Sequence, residues 1–351
     1  MDLQRALGVT RVARVTGLDR TGVEVACAIR PGGHVLQVCN GKGKSFEEAA
    51  RGALCETAEL WAAERVPGDL LWGTREELPT AWDAADLGMA LVAPRLWGPA
   101  VRCAWRRATD LHSGAPVLVP AVAVHCPPQA GPLLGPAVVR WTSNGSGAHA
   151  SRAAALLHAL LEAAERDQLA RALPRGWTPA AVRQRKIDPG SLAGEVARLV
   201  ERLEARGFSV HLFDLSGALR LPVAAALLAD REGGPIPLAA GYACAPRPGE
   251  AALAALREAA QSRLTDVHGA REDVVPADPS SMRSLRRACE RARGKRRLSD
   301  MPVVAGGVRE VLQRFLRAGF TRAAAVDLAP GALEVHVVKV VVPGFLVSEL
   351  L

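Results

Sequence analysis

Two hydrophobic periods alternate along the chain. Short apolar or alternating runs read as strands: "VEVACAIR" at 23–30 and "HVLQVC" at 34–39, with Pro31-Gly32-Gly33 as the turn between them. "MALVAP", "VRCAWRRATDLHSG", "PVLVPAVAVH" and "AVVRW" continue the strand signal, broken at short intervals by Pro and Gly as in an antiparallel sheet. "FSVHLFDLSG", "PVAAALLAD", "RAAAVDL" and "LEVHVVKVVV" follow later. Between them the period changes to that of a helix. Long helices are predicted over 45–65, from Ser151 to about Leu173, and from about Gly249 onward, with shorter helical stretches within 178–206 and near 307–318. Ser45 with Glu48 forms a capping box, and Pro67-Gly68 stops the first helix. Strands and helices interleave without a regular βαβ repeat. The expected class is therefore α/β in the broad α+β sense: mixed, mostly antiparallel sheets with helices packed on them.

The three long helices share a pattern. "ALCETAE" begins at Ala53, "ALLEAAE" at Ala159 and "ALREAAQ" at Ala255. Residues three or four apart share a helix face. Glu56 with Glu59, Glu162 with Glu165, and Glu258 with Gln261 thus form three polar pairs, and Arg166 follows Glu162 by one turn. Such pairs occur on any exposed amphipathic helix. Here each copy is also preceded by a small-residue stretch, "CNGKGKS", "TSNGSGAHAS" or "GYACAPRPG", read as a loop. Loops of that kind present backbone N–H groups to phosphate, and carboxylates suit Mg2+, a hard ion that takes oxygen ligands. "VCNGKGKS" is not a Walker A loop, because the first glycine of that motif would fall on Val38.

Composition narrows the classes. The 351 residues are 49% hydrophobic and 23% charged, a globular balance. No charged-then-apolar leader and no run of about 18 apolar residues is present, so a cytoplasmic protein without a membrane segment is expected. The seven cysteines are scattered with no C-x-x-C, which argues against disulfides and a cysteine zinc site. The net charge of +8 is concentrated in "RSLRRACERARGKRR" at 283–297, with eight basic residues and one acid. Arg283, Arg287 and Arg291 recur at helical spacing. They form either a solvated face or a contact for an acidic peptide, phosphates or a partner. Without interleaved aromatics, a nucleic-acid surface is not expected.

Together "GVTRVARVTGLDRTGVEVACAIRP", "GKGKSFEEAARGALCETAE", "TSNGSGAHASRAAALLHALLEAAERD", "GYACAPRPGEAALAALREAAQSRLTDVHGARED" and "VHVVKVVVPG" resemble the YcaO family, over about residues 8 to 344. The resemblance implies one YcaO-like domain over 1–351, with sub-parts near 1–66, 67–175 and 176–351. It implies an ATP site ringed by the three glutamate helices, and ATP-dependent modification of a peptide backbone amide to an azoline or a thioamide. It places metal roles on Glu56, Glu59, Glu162, Glu165 and Glu258. Nucleotide-side roles fall on Lys42, Asn144, Glu56, Glu162, Gln261, Arg166 and Arg263, the two arginines also serving as catalytic charge. ATP and Mg2+ are the implied cofactors. The implied partners are a precursor peptide and a separate leader-binding or TfuA-like protein, with a homo-oligomer left open.

The sequence departs from the family pattern at three places. Leu60 stands where an arginine often follows the second glutamate of the first motif, and Ala154 stands where many relatives carry an acid. The "PGFLVSELL" ending lacks the Pro-x-Pro-x-Pro tail common in the azoline branch. A missing metal ligand or a shifted Mg2+ would follow from the first two, and all three together support the alternative of a nucleotide-binding scaffold or partner without catalysis. The third lowers the weight on ring formation.

Overall fold

The computed structural model describes residues 2–82, 94–136, 140–233, 236–271, 278–328 and 331–347. "MALVAP" and "AVVRW" fall largely outside these residues. The elements in chain order are α1 (Leu3–Ala6), β1 (Arg11–Arg14), β2 (Glu24–Ile29), β3 (Val38–Gly43), α2 (Phe46–Ala63), β4 (Leu71–Gly73), β5 (Cys103–Asp110), β6 (Pro116–Pro120), α3 (Ala121–Val124), β7 (Ser146–His149) and α4 (Arg152–Ala172). After these come α5 (Pro179–Arg185), α6 (Gly194–Ala205), β8 (Phe208–Asp214), β9 (Val223–Asp230), β10 (Leu238–Cys244), α7 (Pro248–His268), α8 (Pro279–Arg291), α9 (Gly307–Arg317), β11 (Ala324–Asp327) and β12 (His336–Val341). The strands form three antiparallel sheets, ordered β1-β2-β3, β10-β9-β8 and β4-β5-β11-β12-β7, with β6 paired to β5. The expected class of mixed α/β with antiparallel sheets and packed helices is what the chain adopts.

The three long helices start where their caps place them. Ser45 and Ser151 accept the Glu48 and Ala154 N–H groups, and Pro248 occupies the first turn of α7, where an N–H is not needed. The strands before them differ from the sequence reading. Each of the three small-residue stretches read as loops contains a strand: β3 runs through Asn40-Gly41-Lys42-Gly43, β7 is Ser146–His149, and β10 extends to Cys244. The strand expected at 34–39 accordingly begins at Val38, paired with Ile29. The connection before it is held by a buried Arg30–Glu64 ion pair at 2.7 Å, whose carboxylate also accepts the His34 and Val35 N–H groups. The second half of "PVLVPAVAVH" also departs from expectation. Pro120 cannot donate to a ladder, and Ala121–Val124 turn into a helix closed by the His125 N–H to Ala121 C=O bond.

Gly41, Gly147 and Gly241 inside β3, β7 and β10 serve close packing, not turns. A methyl built on Gly41 would sit 2.0 Å from the Ala49 carbonyl oxygen and 2.3 Å from the Ala53 nitrogen. On Gly147 it would meet the Ala155 oxygen at 2.4 Å and the Ala159 nitrogen at 2.9 Å, and on Gly241 the Ala255 oxygen at 2.3 Å and the Ala259 nitrogen at 2.2 Å. Each strand backbone therefore lies directly on its own helix, and small helix residues complete the fit. In the third copy the contact falls one helical turn later along the repeated motif.

The three strand–helix units close on one another. β3, β7 and β10 each lie at the edge of their sheet. α2 packs on its own β3 and on β7, α4 on its own β7 and on β10, and α7 on its own β10 and on β3. Every repeated helix thus touches its own strand and the next, in a ring of three. The polar helix faces meet inside that ring.

Candidate active site

The ring explains how the polar pairs are oriented. Glu59 on α2 accepts the backbone N–H of Ala148 on β7 at 2.8 Å, and Glu165 on α4 accepts that of Cys244 on β10 at 3.1 Å. Each carboxylate reaches across to the edge strand of the following unit and satisfies a donor that no strand pairs. From α7, Glu258 takes Lys42 Nζ of β3 at 3.0 Å, and Thr265 accepts from Asn40 Nδ2 at 2.7 Å. Glu56 accepts the Asn40 N–H at 3.0 Å, with Arg271 at 3.7 Å. Arg166 lies 3.6 Å from Glu165 and 4.0 Å from Glu162. The structure therefore brings together Lys42, Glu56, Glu59, Glu162, Glu165, Arg166 and Glu258.

Burial and mutual repulsion mark these carboxylates. Burial raises Glu165 to about 8, with Glu258 and Glu162 adding repulsion and Arg166 opposing. Burial, Glu162 and Glu56 push Glu59 well above the usual carboxylate range. Burial also raises Glu56, against the pull of Arg271 and Lys42. Burial works against the charges on Lys42 and Arg166, but the surrounding glutamates outweigh it and hold both cations protonated. An excess of buried negative charge is what a bound cation would relieve.

Gln261 Oε1, Asn144 Oδ1 and Arg166 Nε are buried without a hydrogen-bond partner. Buried polar atoms without a partner also occur elsewhere, at Thr21, His125 and His211 among others; those of Gln261, Asn144 and Arg166 are the ones on expected site residues, where a ligand atom would satisfy them. Among the described residues no three His, Cys, Asp or Glu side chains are already grouped to cage a metal ion. The five glutamates are therefore not a preformed cage, and this donor set fits Mg2+ completed by water and phosphate oxygens, the usual way that ion is shared with a nucleotide.

Arg263 is not brought into this cluster. It is 2% exposed, bonds Asp19 at 3.1 Å and Asp230 at 2.9 Å, and stacks over Phe208. It lies on a different face of α7 from Glu258 and Gln261, and its charge is already neutralised. The catalytic charge expected from it is corrected on that ground, and its place in the structure is that of a buried tie between α7 and β9. Leu60, at the position where relatives carry arginine, is 4% exposed and packs with Leu36 and Cys39. The cysteines carry no disulfide. No helix among the described residues is long and apolar enough to cross a membrane.

Sequence reasoning missed Lys339. It is 3% exposed on β12, donates to the Thr142 and Asn144 carbonyls at 2.7 and 2.6 Å, and sits over the Trp141 ring. Burial lowers it to about 8, with Glu162 and Glu59 opposing. The signal was a lone lysine inside "HVVKVVV", where both faces of the strand are otherwise apolar. Its ammonium holds the segment that carries Asn144. Lys339→Met is expected to cost about 2 kcal/mol of stability, because two inward carbonyls lose their donor. It should also shrink the rise in melting temperature given by Mg2+ and nucleotide, whereas Lys339→Arg should keep most of both.

The raised carboxylate gives a pH dependence. A folded value of about 8 for Glu165 lies above its unfolded value, so the folded state binds the extra proton through the interval between them. The sign is a loss of stability as pH rises from about 4.5 to about 8. Metal-free Glu165→Gln protein is expected to lose less stability than wild type over that window, measured by denaturant unfolding at several pH values. Parallel curves would refute the assignment.

Comparison with known proteins gives the family and the fold. Residues 40–346 match the family model described as YcaO cyclodehydratase, ATP- and Mg2+-binding, and the chain belongs to the YcaO family. It is similar to a protein of Rhizobium leguminosarum bv. trifolii described only as lying in the tfuA 3' region, at 31% identity over 97% of this chain and 84% of that one. A protein of Methanothermobacter thermautotrophicus is 32% identical over 78% of this chain and 70% of its own. Among solved structures, YcaO from Methanopyrus kandleri bound with AMPPCP and Mg2+ superposes with a TM-score of 0.76 at 24% identity, covering 98% of this chain and 88% of that one. A heterocyclase in complex with substrate and cofactor gives 0.75 at 19% identity over 97% of this chain, which spans 50% of that protein. The E. coli microcin synthetase McbBCD complex gives 0.65 at 15% identity, over 93% and 86%. The expected cofactors, ATP and Mg2+, are those of the family description.

Proposed function

We propose that this chain uses ATP and Mg2+ to activate a backbone amide of a ribosomally made peptide. The observation that carries the reading is the convergence of Glu56, Glu59, Glu162, Glu165 and Glu258 from three helices, with Lys42 and Arg166 among them. Phosphoryl transfer needs positioning and charge neutralisation more than a covalent side chain, and this cluster is built for that. The glutamates would hold Mg2+, which supplies charge neutralisation at the phosphates. Lys42 and Arg166 supply fixed positive charge on the phosphate side, and Asn144 and Gln261 supply the unpartnered polar atoms.

In the reaction, a nucleophile adds to the amide carbonyl carbon and the electron pair moves to oxygen. That oxyanion attacks the γ-phosphorus and ADP leaves. The former carbonyl oxygen then departs with phosphate as the C–O bond breaks, while the amide nitrogen (for an azoline) or the added sulfur (for a thioamide) forms a double bond to that carbon and releases its proton to solvent. A neighbouring Cys, Ser or Thr side chain as nucleophile gives an azoline, and sulfide gives a thioamide. The tfuA neighbourhood of the Rhizobium relative supports the thioamide and a TfuA-like partner for this chain. The test is a peptide carrying a heavy-oxygen label in the amide carbonyl, incubated with ATP, Mg2+ and a sulfide source. The label is expected in the released phosphate, with oxygen replaced by sulfur in the peptide. Loss of one water from the peptide instead would assign the azoline. Tight nucleotide binding without phosphate release, with every peptide and partner tried, would identify a scaffold.

A further inference from the structure

The basic segment at 279–297 takes no part in the carboxylate cluster, and its cations divide into two kinds. Some hold the fold together. Arg286 donates to the Asp230 carbonyl and pairs with Glu290, each at 2.8 Å, and Arg296 pairs with Asp214 at 2.8 Å. Lys186, buried beneath, closes the end of α8 through the Cys289 and Ala292 carbonyls at 2.6 and 2.9 Å. The inner face, with Cys289 and Ala292 buried and Met282, Leu285 and Ala288 partly buried, packs into the core around Phe213 and Leu215. α8 is thereby fixed as a rigid element.

The outer face is different. Arg283, Arg287, Arg291, Arg293 and Lys295 are all exposed, and none is paired with a carboxylate among the described residues. Arg283, Arg287 and Arg291 follow one another at single-turn spacing, where like charges destabilise a helix. The helix dipole compensates only near the last turn, at Arg291. The one acid of the segment, Glu290, is already taken by Arg286. An ordinary solvated face mixes signs, as α6 does with Glu195, Arg198, Glu201, Arg202 and Glu204. The single-sign face on α8 has no such compensation among the described residues.

We infer that the outer face of α8 and the turn after it form a docking surface for an acidic polypeptide segment. Charge complementarity identifies the occupant. The surface offers guanidinium groups, which pair with carboxylates bidentately. It has no aromatic side chain between Pro279 and Arg297 on which a base could stack. Thirteen helical residues span about 20 Å, which an extended peptide covers in about six residues. The inference is independent of the amide-activation reading, because the two surfaces share no residue.

The test uses the full chain and a fluorescent oligoglutamate peptide, with binding followed by anisotropy as salt is raised. Wild type is expected to bind at low salt and to lose binding steeply as salt increases. R283Q/R287Q/R291Q and R283E/R287E/R291E are expected to weaken binding by about tenfold or more, since each exposed pair is worth little alone but three are removed together. Melting temperature should be equal to or above that of wild type, and nucleotide-induced stabilisation unchanged, in the glutamine variant, which carries the test if charge reversal prevents folding. Unchanged peptide affinity in that variant would overturn the inference, as would no binding by wild type at low salt. Tighter, arginine-dependent binding of duplex DNA or phosphatidylserine vesicles than of the peptide would also overturn it.

Discussion

Glu162→Gln is expected to make the metal-free protein more stable and, in the same molecule, to reduce ATP turnover by about 10²- to 10³-fold. The two effects share one cause. Glu162 is a repulsive neighbour of Glu56, Glu59 and Glu165, and all three carboxylates sit above their usual range, Glu165 buried and the other two half-buried. Removing one charge relieves the other three, so the melting temperature should rise in the absence of Mg2+. The same charge belongs to the proposed metal shell and lies beside Arg166, so nucleotide-induced stabilisation should fall. Trading stability for a site of like charges is common where a ligand supplies the compensation. A purely structural glutamate would give the opposite pattern, with lower stability and unaltered turnover. Melting with and without Mg2+ and a nonhydrolysable nucleotide, alongside phosphate release, separates the two.

The second large effect is on folding. Gly41→Ala, Gly147→Ala and Gly241→Ala are each expected to cost about 3 kcal/mol or more, because the added methyl meets helix backbone and not a movable side chain. At Gly41 the oxygen would be 2.0 Å away, far inside contact distance. The helix would have to lift off the strand that its glutamates reach past, so ATP binding should fail together with stability. Gly68→Ala is the control. An added methyl there meets nothing within 4 Å, and the change should stay within about 0.5 kcal/mol. Equal, small effects at all four positions would remove the argument for close strand–helix packing.

These glycines also show where the sequence was legible and where it was not. The helices α2, α4 and α7 could be read from their caps and period, and the shared Ala-Leu-x-Glu pattern marked the cluster. The strands in front of them could not be read, because Gly, Ser, Asn and Lys look like loop residues. Glycine in β3, β7 and β10 answers to the backbone of the helix that follows it, a packing contact of which local propensity carries no trace. Arg263 failed for a related reason. Its position on α7 suggested the site, but its partners Asp19 and Asp230 come from segments whose approach only the fold determines. Lys339 was visible as a lone charge in an apolar strand, yet nothing local says which carbonyls it serves. The resemblance supplied the family and the cofactors. The ring of three strand–helix units, each helix reaching to the next strand, came from the structure.

On the function proposed above, these three helices together form one ATP and Mg2+ site. That arrangement is tested most directly by a crystal structure with a nonhydrolysable ATP analogue and Mn2+, read from the anomalous signal of the metal. The expected result is metal density bridging phosphate oxygens and glutamates from at least two of α2, α4 and α7, with Arg166 or Lys42 against the phosphates. Nucleotide bound elsewhere, or metal held without any of Glu56, Glu59, Glu162, Glu165 and Glu258, would contradict it.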